Sequence, residues 1–255
     1  MLTIIRYTLL TASRDWLFLG LCSIILIAYG FSVFVGTTAL VEQSQMSLAY
    51  FAGSSRIIMV TGLVVFMCFH VRRSFENREI ESILSKPISR TKFVISYWLG
   101  FSILSFIATI PLFLILAFLN NPDVMGLIYW SASLILEISL VLAFGLLASL
   151  IMTSAVSSVM ATCAFYLISR LMGFFLVAID NPYSLMGAGK YGQILEHIMK
   201  AISTIIPRLD MFAKSQWLIY GIEGQTDLWI FPLQALVFII LLLSVAVFDF
   251  KRKQF

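Results

Sequence analysis

Long apolar blocks separated by shorter polar stretches are the main pattern of the chain. Each block has about 20 residues or more, the length that a helix needs to cross a hydrocarbon core roughly 30 Å thick. The pattern predicts an all-α, polytopic membrane protein with six transmembrane helices, in a single domain over residues 1–255. The six predicted spans are residues 16–35, 48–71, 93–119, 128–152, 158–179 and 229–250.

Three segments outside the spans have patterns of their own. In residues 1–15 the apolar side chains share one helical stripe, which predicts an amphipathic interfacial helix on the inner membrane surface. In residues 180–228 apolar side chains recur at helical spacing until Pro207, which predicts one or two amphipathic outer helices on, or dipping into, the membrane. Residues 72–92 form the only long charged segment. The aromatic side chains expected at the outer interface are Trp217, Tyr220 and Trp229.

Composition supports a membrane protein with little soluble mass. Hydrophobic residues make up 60% of the chain and charged residues 12%, whereas a soluble domain has about 25% charged residues. The net charge of +4 could suggest a nucleic-acid partner. However, the basic residues flank the apolar blocks and do not form one solvated face. We therefore expect a lipid bilayer around the chain and no nucleic acid.

The distribution of Lys and Arg predicts the orientation of the spans. Residues 1–15, residues 72–92 and the end of the chain hold 2, 6 and 3 of the 17 basic residues, eleven together. The two short loops on the other side hold none, and the four in residues 180–228 weigh little because that connection is long. The count predicts a multi-pass protein with both termini in the cytoplasm.

The 72–92 segment carries the strongest functional signal. Residues 74–85 can form a short helix with acidic side chains near its positive end and an apolar ridge at i, i+3 and i+4. Pro87 ends this helix, and Ser89 can cap the helix of span 3. The pattern predicts a short helix held across the inner membrane face between two spans. The acidic residues are Glu76, Glu79 and Glu81, and the ridge consists of Ile80, Ile83 and Leu84.

The string F-E-N-R-E-I-E-S-I-L-S-K-P-I-S-R-T-K-F, residues 75–93, resembles the first cytoplasmic loop of type-2 permease subunits of ATP-binding-cassette (ABC) transporters. In that family an acidic helix precedes a turn with Pro and Arg and then the third span. The sequence departs from the family at Ser82, where Gly or Thr is common. The resemblance implies that residues 76–84 are a coupling helix that docks into a separate ATPase subunit. The coupling residues that it implies are Glu76, Glu79, Ile80, Glu81, Ile83, Leu84, Pro87 and Arg90.

The resemblance also implies the remaining parts of the machine. It implies an exporter in the bacterial cytoplasmic (inner) membrane and, because six spans are half of the usual pathway, a homodimer or close heterodimer of permeases. The chain lacks a P-loop, since Tyr191 follows Gly189 and Lys190 where Ser or Thr is needed. ATP and Mg²⁺ are therefore expected on the partner ATPase, and this chain is expected to have no cofactor and no enzymatic activity.

Three ionisable residues lie within the predicted spans, namely Arg56, Glu137 and Arg170. Each costs about 2.5–3.5 kcal/mol near the bilayer centre unless it is paired or hydrated. Counting about 1.5 Å per residue from the inner ends of their helices places all three at a similar depth in the outer part of the membrane. One interpretation is a polar cluster at the outer end of a pathway for anionic groups. The other is a Glu137–Arg170 ion pair that fixes two helices, with Arg56 snorkelling outward.

Two other classes of function are alternatives. One is an ATP-independent channel or assembly subunit. The other is a membrane-embedded lipid-modifying enzyme, although paired acids, an H-E-x-x-H motif and a nucleophile elbow are missing from the sequence. His70 and His197 have no second ligand at metal-binding spacing, so no metal site is predicted and both are expected at the membrane interfaces.

Overall fold

The computed structural model describes residues 2–14, 16–38, 42–77, 89–119, 122–180, 198, 201–222 and 229–252. All regular structure in these residues is helical. The helices are α1 (Leu2–Arg14), α2 (Trp16–Thr38), α3 (Gln43–Glu76), α4 (Arg90–Phe118), α5 (Val124–Ile151), α6 (Ala155–Asp180), α7 (Gln216–Tyr220) and α8 (Ile230–Arg252), with a 3-10 turn at Leu209–Met211.

Six of these helices are long and apolar enough to cross a membrane: α2 to α6 and α8. This confirms the predicted fold at the level of an all-helical, multi-pass membrane protein. The largest difference in bounds is in α3, which extends beyond the predicted span 48–71 at both ends. Its 34 residues correspond to about 51 Å of helix, more than the roughly 30 Å core. The polar residues at its ends continue the helix outside the hydrocarbon, where a hydropathy pattern gives no signal.

Helix α5 forms the centre of the bundle and packs against α3, α4, α6 and α8. Most of α5 is buried, whereas α2, α6 and α8 expose most of their surfaces. Small residues allow neighbouring helices to approach α5 closely. Such close packing holds membrane helices together, because no hydrophobic driving force acts between them in lipid. A side chain at Gly145, for example, would lie 2.6 Å from the methyl group of Met67.

The bundle has two distinct ends. At the basic end α3 and α8 finish, α4 begins, and a short turn at 152–154 joins α5 to α6. At the opposite end Asp123 caps α5, with its side chain accepting a hydrogen bond of 2.6 Å from the Gly126 N–H. Helix α1 is formed as predicted and packs against α4, with the buried Thr8 close to Gly100.

Part of the connection between α6 and α8 enters the bundle at the Asp123 end. Residues 201–205 are helical, and this helical segment ends before Pro207, as the sequence predicts. Residues 207–222, which we call the inserted segment, then fold against α3, α5 and α6. The expectation for Trp217 was wrong, because its side chain is only 2% exposed and packs on Phe231. The other two expected interfacial rings, Tyr220 and Trp229, are 75% and 81% exposed.

Candidate functional site

Helices α3, α5 and α6 bring the three membrane charges together below the inserted segment. Arg170 Nη1 lies 3.8 Å from Glu137 Oε1, and both Arg56 and Arg170 act electrostatically on the Glu137 carboxylate. Glu137 is 0% exposed and Arg56 is 9% exposed. We call these three residues the charged cluster. It contains the Glu137–Arg170 ion pair of the structural interpretation, while Arg56 belongs to the same group of charges.

Both arginines donate hydrogen bonds to backbone carbonyl groups of the inserted segment. Arg56 Nη1 donates to Ala213 O at 2.7 Å and to Phe212 O at 3.5 Å. Arg170 Nη1 donates to Leu209 O and, at 3.1 Å, to Phe212 O. The expectation that Arg56 snorkels outward was therefore wrong: its guanidinium group is held inside the protein.

The physical reason is the irregular backbone of the inserted segment. Buried carbonyl groups outside regular helices lack helical partners, and in a membrane protein they are tolerated only where other groups satisfy them. A guanidinium group has five N–H donors in a fixed plane and can serve several carbonyl groups at once. Arg56 and Arg170 thus replace the missing helical donors. Their positions in apolar spans gave a signal in the sequence, but their carbonyl partners gave none.

Two further contacts hold the inserted segment against α5. The Ala213 N–H donates to the buried Ser133 Oγ at 2.9 Å, with Ala213 at a φ of 43°. The Asp123 N–H donates to Leu218 O at 3.2 Å. At Gly126 the backbones of α5 and the inserted segment nearly touch, since an added Cβ would lie 1.8 Å from Trp217 O. The backbone of the segment is therefore held at several positions between Leu209 and Leu218.

Charge balance in the cluster depends on more than the ion pair. Two guanidinium groups face one carboxylate, so one positive charge remains, and the carbonyl dipoles of the inserted segment offset it. Both carboxylate oxygens of Glu137 are buried and make no hydrogen bond to a described residue. The buried Tyr166 hydroxyl lies beside the Glu137 carboxylate and interacts with it. Glu137 is thus held by electrostatic attraction from the two arginines.

The predicted coupling segment is at the basic end, and most of it lies outside the described residues. Of its predicted residues, Glu76 ends α3 and pairs with Arg72 at 3.3 Å. Ser89 caps α4 as predicted, accepting from the Lys92 N–H at 3.4 Å. Arg90 Nη1 donates to Phe250 O at 3.0 Å and to Lys251 O at 3.1 Å, which ties the start of α4 to the end of α8. The residues outside the described parts are Glu79, Ile80, Glu81, Ile83, Leu84 and Pro87.

His70, predicted at the inner interface, is buried inside the bundle near the basic end. Its side chain is buried among the rings of Tyr7, Phe66, Tyr97 and Phe101. Here the ring joins α1, α3 and α4. His197 lies outside the described residues.

No protein-family model and no curated protein sequence matches the chain. The charged cluster and the basic end are the two candidate functional regions of the described structure.

Proposed function

We propose that the chain is the permease subunit of an ABC transporter, acting in export together with a separate cytoplasmic ATPase. The observation that carries the proposal is residues 72–92, where an acidic helix pattern, Pro87 and Arg90 resemble the coupling loop of type-2 permeases. In this proposal the basic end faces the cytoplasm, in agreement with the positive-inside rule.

The described residues around this segment support a mechanical role. The described ends of the segment are the last turn of α3 and the first turn of α4, and Arg90 links α4 to the end of α8. A helix is a rigid connector, so a displacement of the segment would reach all three helices. The described ends of the segment thus belong to, or are bonded to, three spans.

Helix α3 also connects the two candidate regions. Arg56 lies twenty residues before Glu76 in the same helix, which corresponds to about 30 Å. A shift or rotation of α3 would move the Arg56 guanidinium group relative to the Ala213 carbonyl group. We propose that ATP-driven motion at the basic end loosens the inserted segment at the other end, so that the pathway opens there.

The proposal includes a second permease copy and assigns ATP and Mg²⁺ to the ATPase. The large exposed apolar surfaces of α2, α6 and α8 can face either lipid or a second copy. The charged cluster makes its ion pair and its carbonyl contacts within one chain, so these contacts do not need a second copy. A pathway between two copies agrees with the central position of α5 inside each one.

The test is purification of the tagged chain from its native membrane, followed by assays of ATP hydrolysis. We expect a subunit with a P-loop to copurify with ATPase activity. Replacing Glu79 and Leu84 by Ala should weaken this association, because an acid and one residue of the apolar ridge are lost together. A matched control at the opposite end is Glu42→Asn with Met46→Ala, since both residues are exposed on or beside α3. Absence of an ATPase, or equal losses in both variants, would favour a channel or assembly subunit.

A further inference from the structure

A recess at the basic end lies between the last turns of α3 and the turn that joins α5 to α6. Its volume is about 410 Å³, within the range of about 300–1,000 Å³ for small-molecule sites. The described contacts of the charged cluster and of Arg90 lie outside this recess. Its lining residues are Phe69, His70, Arg72, Arg73, Glu76, Thr153, Ser154 and Ala155.

The charge of the recess favours an anion. Among the described lining residues, the two arginines Arg72 and Arg73 outnumber the one acid, Glu76, which lies 3.3 Å from Arg72. The hydroxyl groups of Thr153 and Ser154 add hydrogen-bond donors on the opposite wall. Helix α6 begins at Ala155, so the positive end of its dipole also points to this side. Phosphate oxygens suit such a set of arginine and hydroxyl donors.

Exposed apolar side chains adjoin the recess. Phe69 on its wall is exposed, as are Met152 and Val156, the chain neighbours of the lining turn. One turn further along α6, Met160 is exposed as well. A polar recess thus adjoins an exposed apolar strip on α6, a helix long and apolar enough to cross a membrane. This combination matches a molecule with an anionic head and acyl chains.

We propose that the recess binds the phosphate headgroup of an anionic phospholipid, with the acyl chains lying along Met152, Val156 and Met160. Basic pockets between transmembrane helices at the membrane surface are suited to anionic headgroups. A protein segment would fill the polar recess but would leave the adjoining apolar strip on α6 without a match. The proposal does not depend on an ATPase partner, so failure of the proposed transport function would leave it intact.

The experiment compares the full chain in nanodiscs of phosphatidylcholine alone with nanodiscs that also contain phosphatidylglycerol. Lipids that remain bound after transfer to detergent are measured by native mass spectrometry. We expect retained phosphatidylglycerol with the unaltered chain. The double variant Arg72→Gln with Arg73→Gln should lower its retention by about 25-fold, about fivefold for each lost charge near the surface. The variant with Lys at both positions should restore most of it.

The matched control is Lys251→Gln with Arg252→Gln, which removes two charges at the same end but outside the recess. Equal losses in the control and the double variant would overturn the proposal, as would equal retention of the two lipids by the unaltered chain. Inorganic phosphate is titrated into phosphatidylcholine nanodiscs as a further arm. Thermal stabilisation by phosphate alone, equal to that by phosphatidylglycerol, would identify a free anion and contradict the lipid assignment. Unfolding of each variant in phosphatidylcholine shows whether the fold is retained.

Discussion

The guanidinium group of Arg56 donates a hydrogen bond of 2.7 Å to the backbone carbonyl group of Ala213. The two residues are 157 positions apart in the chain. Arg56 is near the middle of α3, and Ala213 is in the inserted segment, so this bond joins a long membrane helix to the irregular backbone that fills the Asp123 end.

Replacing Arg56 by Gln should loosen the inserted segment. The carbonyl groups of Phe212 and Ala213 would lose a charged donor in a buried position, at a cost of about 1–3 kcal/mol. We expect faster amide hydrogen exchange in residues 207–220 and little change at the basic end. Arg56→Lys should have an intermediate effect, because Lys keeps the charge but lacks the planar set of donors. Unchanged exchange in 207–220 would show that Arg56 does not hold the segment.

The two partners of the ion pair should differ in their effects on the free energy of unfolding. Arg170→Gln leaves Glu137 with one arginine fewer in the apolar interior and removes two carbonyl contacts, so we expect a loss of about 3–5 kcal/mol. Glu137→Gln leaves the Arg170 hydrogen bonds to Leu209 and Phe212 in place and should cost less, about 1–3 kcal/mol. Unfolding in mixed micelles measures both.

The double variant Glu137→Gln with Arg170→Gln completes the cycle. It should be less destabilised than the sum of the single variants, because neither charge is left without its partner. Additive losses would mean that the two side chains do not interact. Intact assembly of Glu137→Gln together with loss of transport would instead assign Glu137 to the pathway.

Gly126 should tolerate no side chain, since an added Cβ would lie 1.8 Å from the Trp217 carbonyl oxygen. Gly126→Ala is expected to displace α7 from α5 and to lower the thermal unfolding temperature. Gly53 is a matched control in α3, with nothing within 4 Å of an added Cβ. Gly53→Ala should leave the unfolding temperature unchanged or raise it, because Ala favours a helix by about 0.5–1 kcal/mol over Gly. Equal effects at both sites would contradict the close backbone approach.

Arg90 should stabilise the end of α8. Its guanidinium group binds the carbonyl groups of Phe250 and Lys251, where a cation also interacts favourably with the helix dipole. Arg90→Gln is expected to cost about 1 kcal/mol and to speed amide exchange in the last turn of α8. Lys92→Gln removes the same charge two residues later and should not affect that turn. If both variants behave alike, the hydrogen bonds of Arg90 to α8 do not stabilise its last turn.

The long helices were predictable because a membrane imposes a simple rule on sequence. An apolar block of sufficient length becomes a helix, since every backbone polar group must be satisfied within the segment. Ser89 could also be predicted as a helix cap, because capping is a local contact and its partner Lys92 is only three residues away. Depth counting along the spans placed Arg56, Glu137 and Arg170 at one level, and the structure brings them together.

The inserted segment could not be predicted in the same way. Its stability comes from contacts with residues far away in the chain, such as Arg56 with Ala213 and Ser133 with Ala213. Trp217 illustrates the difficulty, since a tryptophan beside a span is usually interfacial, yet here it fills the gap next to Phe231. The burial of His70 was equally hard to predict. Its aromatic neighbours come from three helices, so no local sequence pattern indicates them.

The central proposal is that residues 72–92 bind an ATPase at the basic end. The most direct measurement is photo-crosslinking in the native membrane from a benzoylphenylalanine placed at position 83, compared with one at position 46. Position 83 lies on the predicted apolar ridge, and Met46 is exposed at the opposite end of α3. We expect a crosslinked adduct with a P-loop ATPase from position 83 and none from position 46. Absence of an ATP-binding partner at position 83, or the same adduct from both positions, would contradict it.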